Sequence, residues 1–321
     1  MSEHTPLLEV RNVKKYFKVA GGMNHAVDDV SFTLENGQTL GVVGESGCGK
    51  STLGRTICRL LDATEGQVLL NGEDITHVKG HKLRQVHEQI QIVFQDPYSS
   101  LNARLRTEST VMEPLKNSKR FHSKKEMMEE ADRIMELVGI DERLRQSYPH
   151  ELDGGRRQRV GIARALALNP SIIVCDEPVS ALDVSVQAQI LNLLMDLQDQ
   201  MGTSYIFVTH DLGVVRHIAN SIMVMYLGQA VEIASTEELF ERTLHPYTKA
   251  LFSAIPSVNI HEPMQRIQLK GEITSPINPK PGCRFAARCP YATEACEQPQ
   301  TLEEVSEGHF VQCCRYKEIN E

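Results

Sequence analysis

Residues Gly44 to Thr52 read GESGCGKST and fit the spacing G-x-x-x-x-G-K-S/T. They stand between the apolar run "TLGVV" and a segment with helical character, so the chain passes from a buried strand through a glycine loop into a helix. No other stretch constrains the fold as tightly. Gly44, Gly47 and Gly49 tolerate backbone angles that other residues avoid, which lets the N–H groups of Glu45, Ser46, Gly47, Cys48 and Gly49 wrap an anion. Lys50 supplies a point charge for β- and γ-phosphates, Ser51 a hydroxyl for Mg2+, and Thr52 completes the set. A chance glycine turn is the bland alternative, and the strand–loop–helix context argues against it.

A second apolar strand, "SIIVCDEP", comes more than a hundred residues later and ends in Asp176 and Glu177. Alone, such an end is most simply a solvated strand terminus. After a phosphate loop it reads as chemistry: Asp176 holds Mg2+ through water, and Glu177 orients and deprotonates an attacking water. The expected fold is α/β, with a mainly parallel core sheet and an antiparallel β part near the N-terminus, where "PLLEVRNVKKYFKV" alternates. A charged helical subdomain is expected at about 96–153, and "VQAQILNLLMDLQDQMG" reads as an amphipathic helix closing at a glycine. Proline and glycine thicken after about residue 256, which divides the chain into 1–255 and a small irregular extension, 256–321.

The formal net charge of −8 argues against broad nucleic-acid binding, which needs a basic face. No run approaches the roughly 18 apolar residues needed to cross a bilayer. The start "MSEHTPLLEV" lacks a signal-peptide layout, so the expectation is a cytosolic chain whose membrane role comes through a partner. Cys48, Cys58 and Cys175 lie among apolar neighbours and read as core thiols.

Across roughly 1–255 these motifs resemble the ATP-binding subunits of ABC transporters. By that resemblance "VFQDPYSSLNAR" is the Q-loop, with Gln95 contacting Mg2+ and water and the segment forming a groove for a permease helix. Ser180, Ala181, Leu182 and Asp183 would form the D-loop, and "VTHD" the switch, with His210 on the γ-phosphate. The adenine-stacking aromatic falls in "KKYF", with Phe17 favoured by spacing and Tyr16 the alternative.

"ELDGGRRQR" occupies the place of the signature motif, usually L-S-G-G-Q, which faces the ATP of a second subunit in a head-to-tail dimer. Here the motif is Leu152, Asp153, Gly154, Gly155 and Arg156. Aspartate keeps the helix-capping role of the serine but loses its hydroxyl donor and brings a negative charge towards a polyanion. Arg156, three residues on, can cancel that charge or contact phosphate itself. A working signature and a slow, degenerate one both remain open.

Five cysteines follow the pattern C-x5-C-x6-C-x16-C-C between 283 and 314, and small irregular appendages often need such a staple. "LHPYTKALFSAIP" and this tail resemble the C-terminal extension of oligopeptide/dipeptide importer ATPases, some of which carry a four-iron four-sulfur (4Fe-4S) cluster. The resemblance implies Cys283, Cys289, Cys296 and Cys313 as ligands, with Cys314 able to replace Cys313. Zn2+ and a set of reduced thiols are the rivals, and His309 reads as a surface or packing residue. The implied function is ATP hydrolysis driving peptide import. The implied partners are a second, paralogous ATPase subunit, two membrane permeases and an extracytoplasmic solute-binding protein, with no nucleic acid, and the implied location is the cytoplasmic face of the membrane. An ABC-type ATPase acting on DNA or ribosomes, and a non-catalytic ATP clamp, are the competing classes. The cargo is not readable from this chain.

Overall fold

The computed structural model describes residues 5–118, 120–254, 267–269, 271 and 274–321. The chain forms two compact units, one from residues 1–34, 39–77 and 209–321, the other from residues 35–38 and 78–208.

The first unit opens with β1 (Leu8–Val19) and β2 (Gly22–Leu34), an antiparallel pair. β3 (Thr39–Val43) is buried at every residue and leads into the glycine loop and α1 (Lys50–Ile57). β4 (Glu65–Leu70) and β5 (Glu73–Asp74) then complete a four-stranded sheet in the order β2-β1-β4-β5, the antiparallel part expected near the N-terminus. In β1, Leu8, Val10 and Val13 are buried, with two residues between the last pair. Asn12 absorbs the extra residue at φ 46, a bulge that shifts the buried phase of the strand.

The second unit carries α2 (Gly80–Gln89), β6 (Ile90–Val93), α3 (Pro97–Ser100), α4 (Thr107–Asn117), α5 (Lys124–Leu137) and α6 (Gly154–Leu166). β7 (Ile172–Asp176), α7 (Val184–Met201) and β8 (Ser204–Thr209) follow, and β6, β7 and β8 pair in parallel. The helices of the expected subdomain pack together through α4, α5 and α6. Ala131, Ile134 and Met135 of α5 are buried at helical spacing, and Ser123 caps that helix by accepting from the Glu126 N–H at 3.1 Å. α7 starts at Asp183, which accepts from Val186 N–H, and stops at Gly202, whose φ of 68 suits a residue without a side chain.

The chain returns to the first unit with α8 (Leu212–Ile218), β9 (Ser221–Tyr226), β10 (Gln229–Ser235), α9 (Thr236–Glu241) and α10 (Pro246–Phe252). β9 pairs parallel with β3 and antiparallel with β10. The expected boundary near 255–256 lies outside the described residues. Beyond it, short turns at Ala286–Arg288 and Glu294–Glu297 give the anticipated irregularity, but β11 (Glu303–Ser306) and β12 (His309–Val311) form a hairpin. β12 pairs with β10, so the tail extends a sheet of the first unit, and α11 (Tyr316–Asn320) ends the chain. Phe285 supplies the anchor: 1% exposed, it meets Tyr226 edge-on at 5.3 Å and Tyr247 at 5.4 Å within one core cluster. Burying such a ring is worth roughly 1.5–3 kcal/mol. Among the described residues no helix is long and apolar enough to cross a membrane.

His309, expected at the surface or in packing, is wholly buried, with Nε2 2.9 Å from Glu232 and Nδ1 3.3 Å from Glu238. Glu232 is also buried and accepts from the N–H groups of Leu244 and His245. Burial alone would lower the His309 pKa, but the two carboxylates outweigh it and the pKa is raised above 6.5. The folded state therefore binds this proton more tightly than the unfolded chain does. Its contribution is complete below about pH 6.5 and is lost as pH rises through the raised value. Thermal unfolding followed upward from pH 6 is expected to show that loss, and His309→Gln to flatten it.

Candidate active site

In the first unit, β3 delivers the loop of residues 44–52 onto a surface that only glycine could approach. A Cβ on Gly44 would lie 2.2 Å from the Met225 carbonyl oxygen, and one on Gly49 would lie 2.0 Å from that of Ala26. Both residues have positive φ, 154 and 107. Gly49 gives α1 no side-chain cap, and no acidic residue stands in its first turn, so the helix start suits an anion. Lys50 is 4% exposed, and its ammonium donates to the carbonyls of Gly44 at 2.7 Å and Glu45 at 3.0 Å. Glu45 is held further: its N–H donates to the Tyr247 hydroxyl at 2.9 Å, and its carboxylate faces Arg288. Cys48, Cys58 and Cys175 are buried as expected, and burial raises the thiol pKa of Cys48.

The two aromatic candidates part company. Tyr16 stacks on His25 with ring centroids 3.9 Å apart and donates its hydroxyl to Asp28. Burial, reinforced by that bond, raises its pKa. Phe17, pointing to the other side of the strand by alternation, has Lys15 over its ring at 5.0 Å. Asp28 also lies 3.1 Å from Nδ1 of His25 and pairs with Arg284. His210 is exposed on the turn between Thr209 and Asp211, and Asp211 fixes that turn by capping α8 through the Gly213 and Val214 N–H groups.

In the second unit the strand register does the positioning. β6 and β7 run parallel with Val93 opposite Cys175, so two residues further on Gln95 and Glu177 come abreast. The Gln95 amide donates to Glu177 Oε2 at 2.8 Å. Asp176, 1% exposed, ends β7. Glu177 adopts φ 47, a left-handed conformation costly for a side chain of its size, and its N–H donates to the Val208 carbonyl at 2.9 Å. Ser180 closes the next turn by donating to the Glu177 carbonyl at 3.1 Å, which ties the segment 180–183 to the end of β7.

Asp153 caps α6, accepting from the Arg156 N–H at 2.8 Å. Its other carboxylate oxygen lies 3.4 Å from Arg156 Nε, with both side chains more than half exposed. The acidic signature residue is thus a cap whose charge is partly answered by its neighbour. A Cβ on Gly155 would lie 2.6 Å from Val186, closer than a side chain tolerates, and one on Gly154 would lie 3.1 Å from Leu182. Leu152 is buried beneath them, and Asp153, Gly155 and Arg156 open onto a cavity of about 470 Å3.

The cysteine tail departs from expectation. Cys283 donates its N–H to the Cys296 carbonyl at 2.8 Å, Cys314 is hydrogen-bonded with the Cys296 thiol, and Cys283 and Cys313 both feel the charges of Cys289 and Cys296. The donor set has the right chemistry for a thiolate-bound metal. Among the described residues no three Cys, His, Asp or Glu side chains are placed to hold a metal ion. The expected ligand set of Cys283, Cys289, Cys296 and Cys313 is not assembled. Burial pushes the Cys283 thiol up to about 12 and the Cys313 thiol to about 11. The sequence reading missed Arg284, Arg288, Tyr247 and Asp28, whose only local signal is the four-residue spacing of the two arginines between Cys283 and Cys289.

The chain matches the family model for ABC transporters over residues 27–180 and that for the oligopeptide/dipeptide transporter C-terminal region over residues 231–296. It belongs to the ATP-binding proteins of ABC transporters. Within them it is 48% identical over 321 residues, 97% of each chain, to the oligopeptide transport ATP-binding protein AppF of Bacillus subtilis (strain 168). It is likewise 48% identical, over 98% of each chain, to the dipeptide transport ATP-binding protein DppF of Haemophilus influenzae. Its fold resembles the ATP-binding cassette MJ0796 in a dimeric post-hydrolysis state bound to ADP and Pi, with TM-score 0.66 and 30% identity over 71% of this chain and 98% of that one.

Replacing the aspartate cap is expected to be felt in stability. Asp153→Ala should cost about 1 kcal/mol in chemical denaturation, and Asp153→Ser only a few tenths, because serine caps as well.

Proposed function

We propose that this chain hydrolyses ATP to drive import of di- or oligopeptides through a membrane ABC transporter, paired head to tail with a second ATP-binding subunit. The near full-length similarity to oligopeptide and dipeptide transport ATP-binding proteins supports the cargo class, and the likeness to a dimeric cassette supports the pairing. The same reading gives it two permease subunits and an extracytoplasmic solute-binding protein as partners, at the cytoplasmic face of the membrane.

The observation that carries the catalytic reading is the strained Glu177, held by Gln95 at 2.8 Å on the end of a buried strand. A base so fixed loses little freedom when it takes a proton from water. Around it the roles divide by chemistry. Phe17 stacks on adenine, and the N–H groups of residues 44–52 with Lys50 hold the phosphates. His210 contacts the γ-phosphate. Ser51, Gln95 and, through water, Asp176 would hold Mg2+, which when bound neutralises charge on the phosphates. Leu152 to Arg156 face the partner's ATP, and Ser180 to Asp183 form the D-loop. Because Arg156 answers Asp153, the signature is a working one.

In the assembled transporter, Glu177→Gln should lower ATP turnover on the order of a hundredfold or more while ATP still binds. The matching Glu→Gln in the partner subunit should lower it comparably. Loss of turnover from Glu177→Gln alone would instead mean that Asp153 marks a degenerate opposite site.

For the tail, a 4Fe-4S cluster on Cys283, Cys289, Cys296 and Cys313, or Zn2+ on the same thiolates, is proposed on the spacing and on the electrostatic reach among the thiols. Anaerobically purified chain should contain about four iron and four sulfide per protein if the cluster forms. One zinc and no sulfide would select the alternative, and neither metal would leave reduced thiols.

A further inference from the structure

A loop built to bind polyphosphate carries an acidic side chain at its second position, and that side chain is met by an arginine from far along the sequence. Arg288 donates Nη1 to Glu45 Oε2 at 2.7 Å and Nη2 to Glu45 Oε1 at 3.1 Å, a two-pronged pairing across a separation of 243 residues. Arg288 is 9% exposed and Glu45 26%, so the pair stands largely out of water. The guanidinium is supported by the Tyr226 ring, 5.9 Å from its centroid, and by the Tyr226 hydroxyl at 3.5 Å. It projects from the turn Ala286–Arg288, whose ends are Phe285 in the core and Cys289.

Glu45 is also where the loop is seated. Its N–H is taken by Tyr247, its carbonyl accepts from the Lys50 ammonium at 3.0 Å, and its carboxylate is taken by Arg288. Movement of this one residue would shift both a carbonyl that docks Lys50 and a negative charge beside the anion site.

The geometry points to Arg288 as a positioning residue for ATP: by gripping the Glu45 carboxylate it cancels a charge that would repel polyphosphate and fixes the loop that seats Lys50. This role rests on residues 44–52 being the phosphate loop. The C-terminal extension thereby contributes to nucleotide affinity in its own subunit. A purely structural arginine would instead influence folding and leave ATP affinity alone.

The test is steady-state ATP turnover of the assembled transporter as a function of ATP concentration. Arg288→Gln should raise the KM for ATP about tenfold or more, since a partly buried carboxylate beside the anion site loses its partner, with a smaller change in kcat. Adding Glu45→Gln to Arg288→Gln should return KM towards the original value, because the unpartnered charge is then gone. Arg288→Lys, which keeps the charge but loses the fork, should fall between. The proposal is overturned if Arg288→Gln leaves KM unchanged, or if the double variant is no better than the single one. Should Arg288→Gln fail to fold, Arg288→Lys with an unaltered KM overturns it equally. Lys50→Ala serves as the separate check: if ATP binding survives that change, the phosphate-loop reading itself fails.

Discussion

A loop that binds an anion with its own backbone cannot also be stabilised by that backbone. Its N–H groups face the ligand rather than a neighbouring strand, so whatever holds the loop must press on it from behind. Here three parts of the first unit do so. The Met225 carbonyl of β9 crowds Gly44, the Ala26 carbonyl of β2 crowds Gly49, and Tyr247 of α10 takes the Glu45 N–H. These contacts explain why the glycines are obligatory and why the region after β10 is built as it is. Tyr226, Tyr247 and Phe285 form one aromatic group whose polar edges reach the loop and whose apolar faces fill the core.

The second unit solves a different problem, which is to place a carboxylate. A buried parallel strand fixes the direction of the chain, the register with β6 fixes the neighbour, and left-handed backbone at Glu177 turns the side chain out of the strand. The cost of that conformation, of order 1–3 kcal/mol, is offset by bonds to Val208 and Gln95. The segment 180–183 and the start of α6 are tied to the same strand end through Ser180 and Leu182, so their positions are not independent of Glu177.

What was legible in the sequence follows the range of the interactions. The glycine loop, the strand ending in Asp176 and Glu177, the helix that closes at Gly202 and the capping role of Asp153 are each written within a few consecutive residues, and each is found as expected. The pairing of Gln95 with Glu177 spans 82 residues and becomes readable only once the register is known. Arg284 with Asp28 and Arg288 with Glu45 span 256 and 243 residues, and nothing local marks either arginine as a partner of the nucleotide-binding part. The cysteines stand at the other extreme. Their spacing is conspicuous and suggested that a metal is what staples the tail. In the fold, the tail is fastened by Phe285 in the core, by His309 between two glutamates and by strand pairing.

The pairing of β12 with β10 makes the cassette and its tail inseparable as parts. A sheet edge offers unmet N–H and C=O groups to any passing strand, and the β11–β12 hairpin is what covers that edge of β10. A version trimmed back to the residues shared with simpler cassettes would display an open, largely buried-type strand, with Glu232 stripped of its histidine and left in an apolar setting. Such a fragment is inclined to stick to its own copies. The hairpin is therefore the cover of a sheet edge as well as the end of the chain.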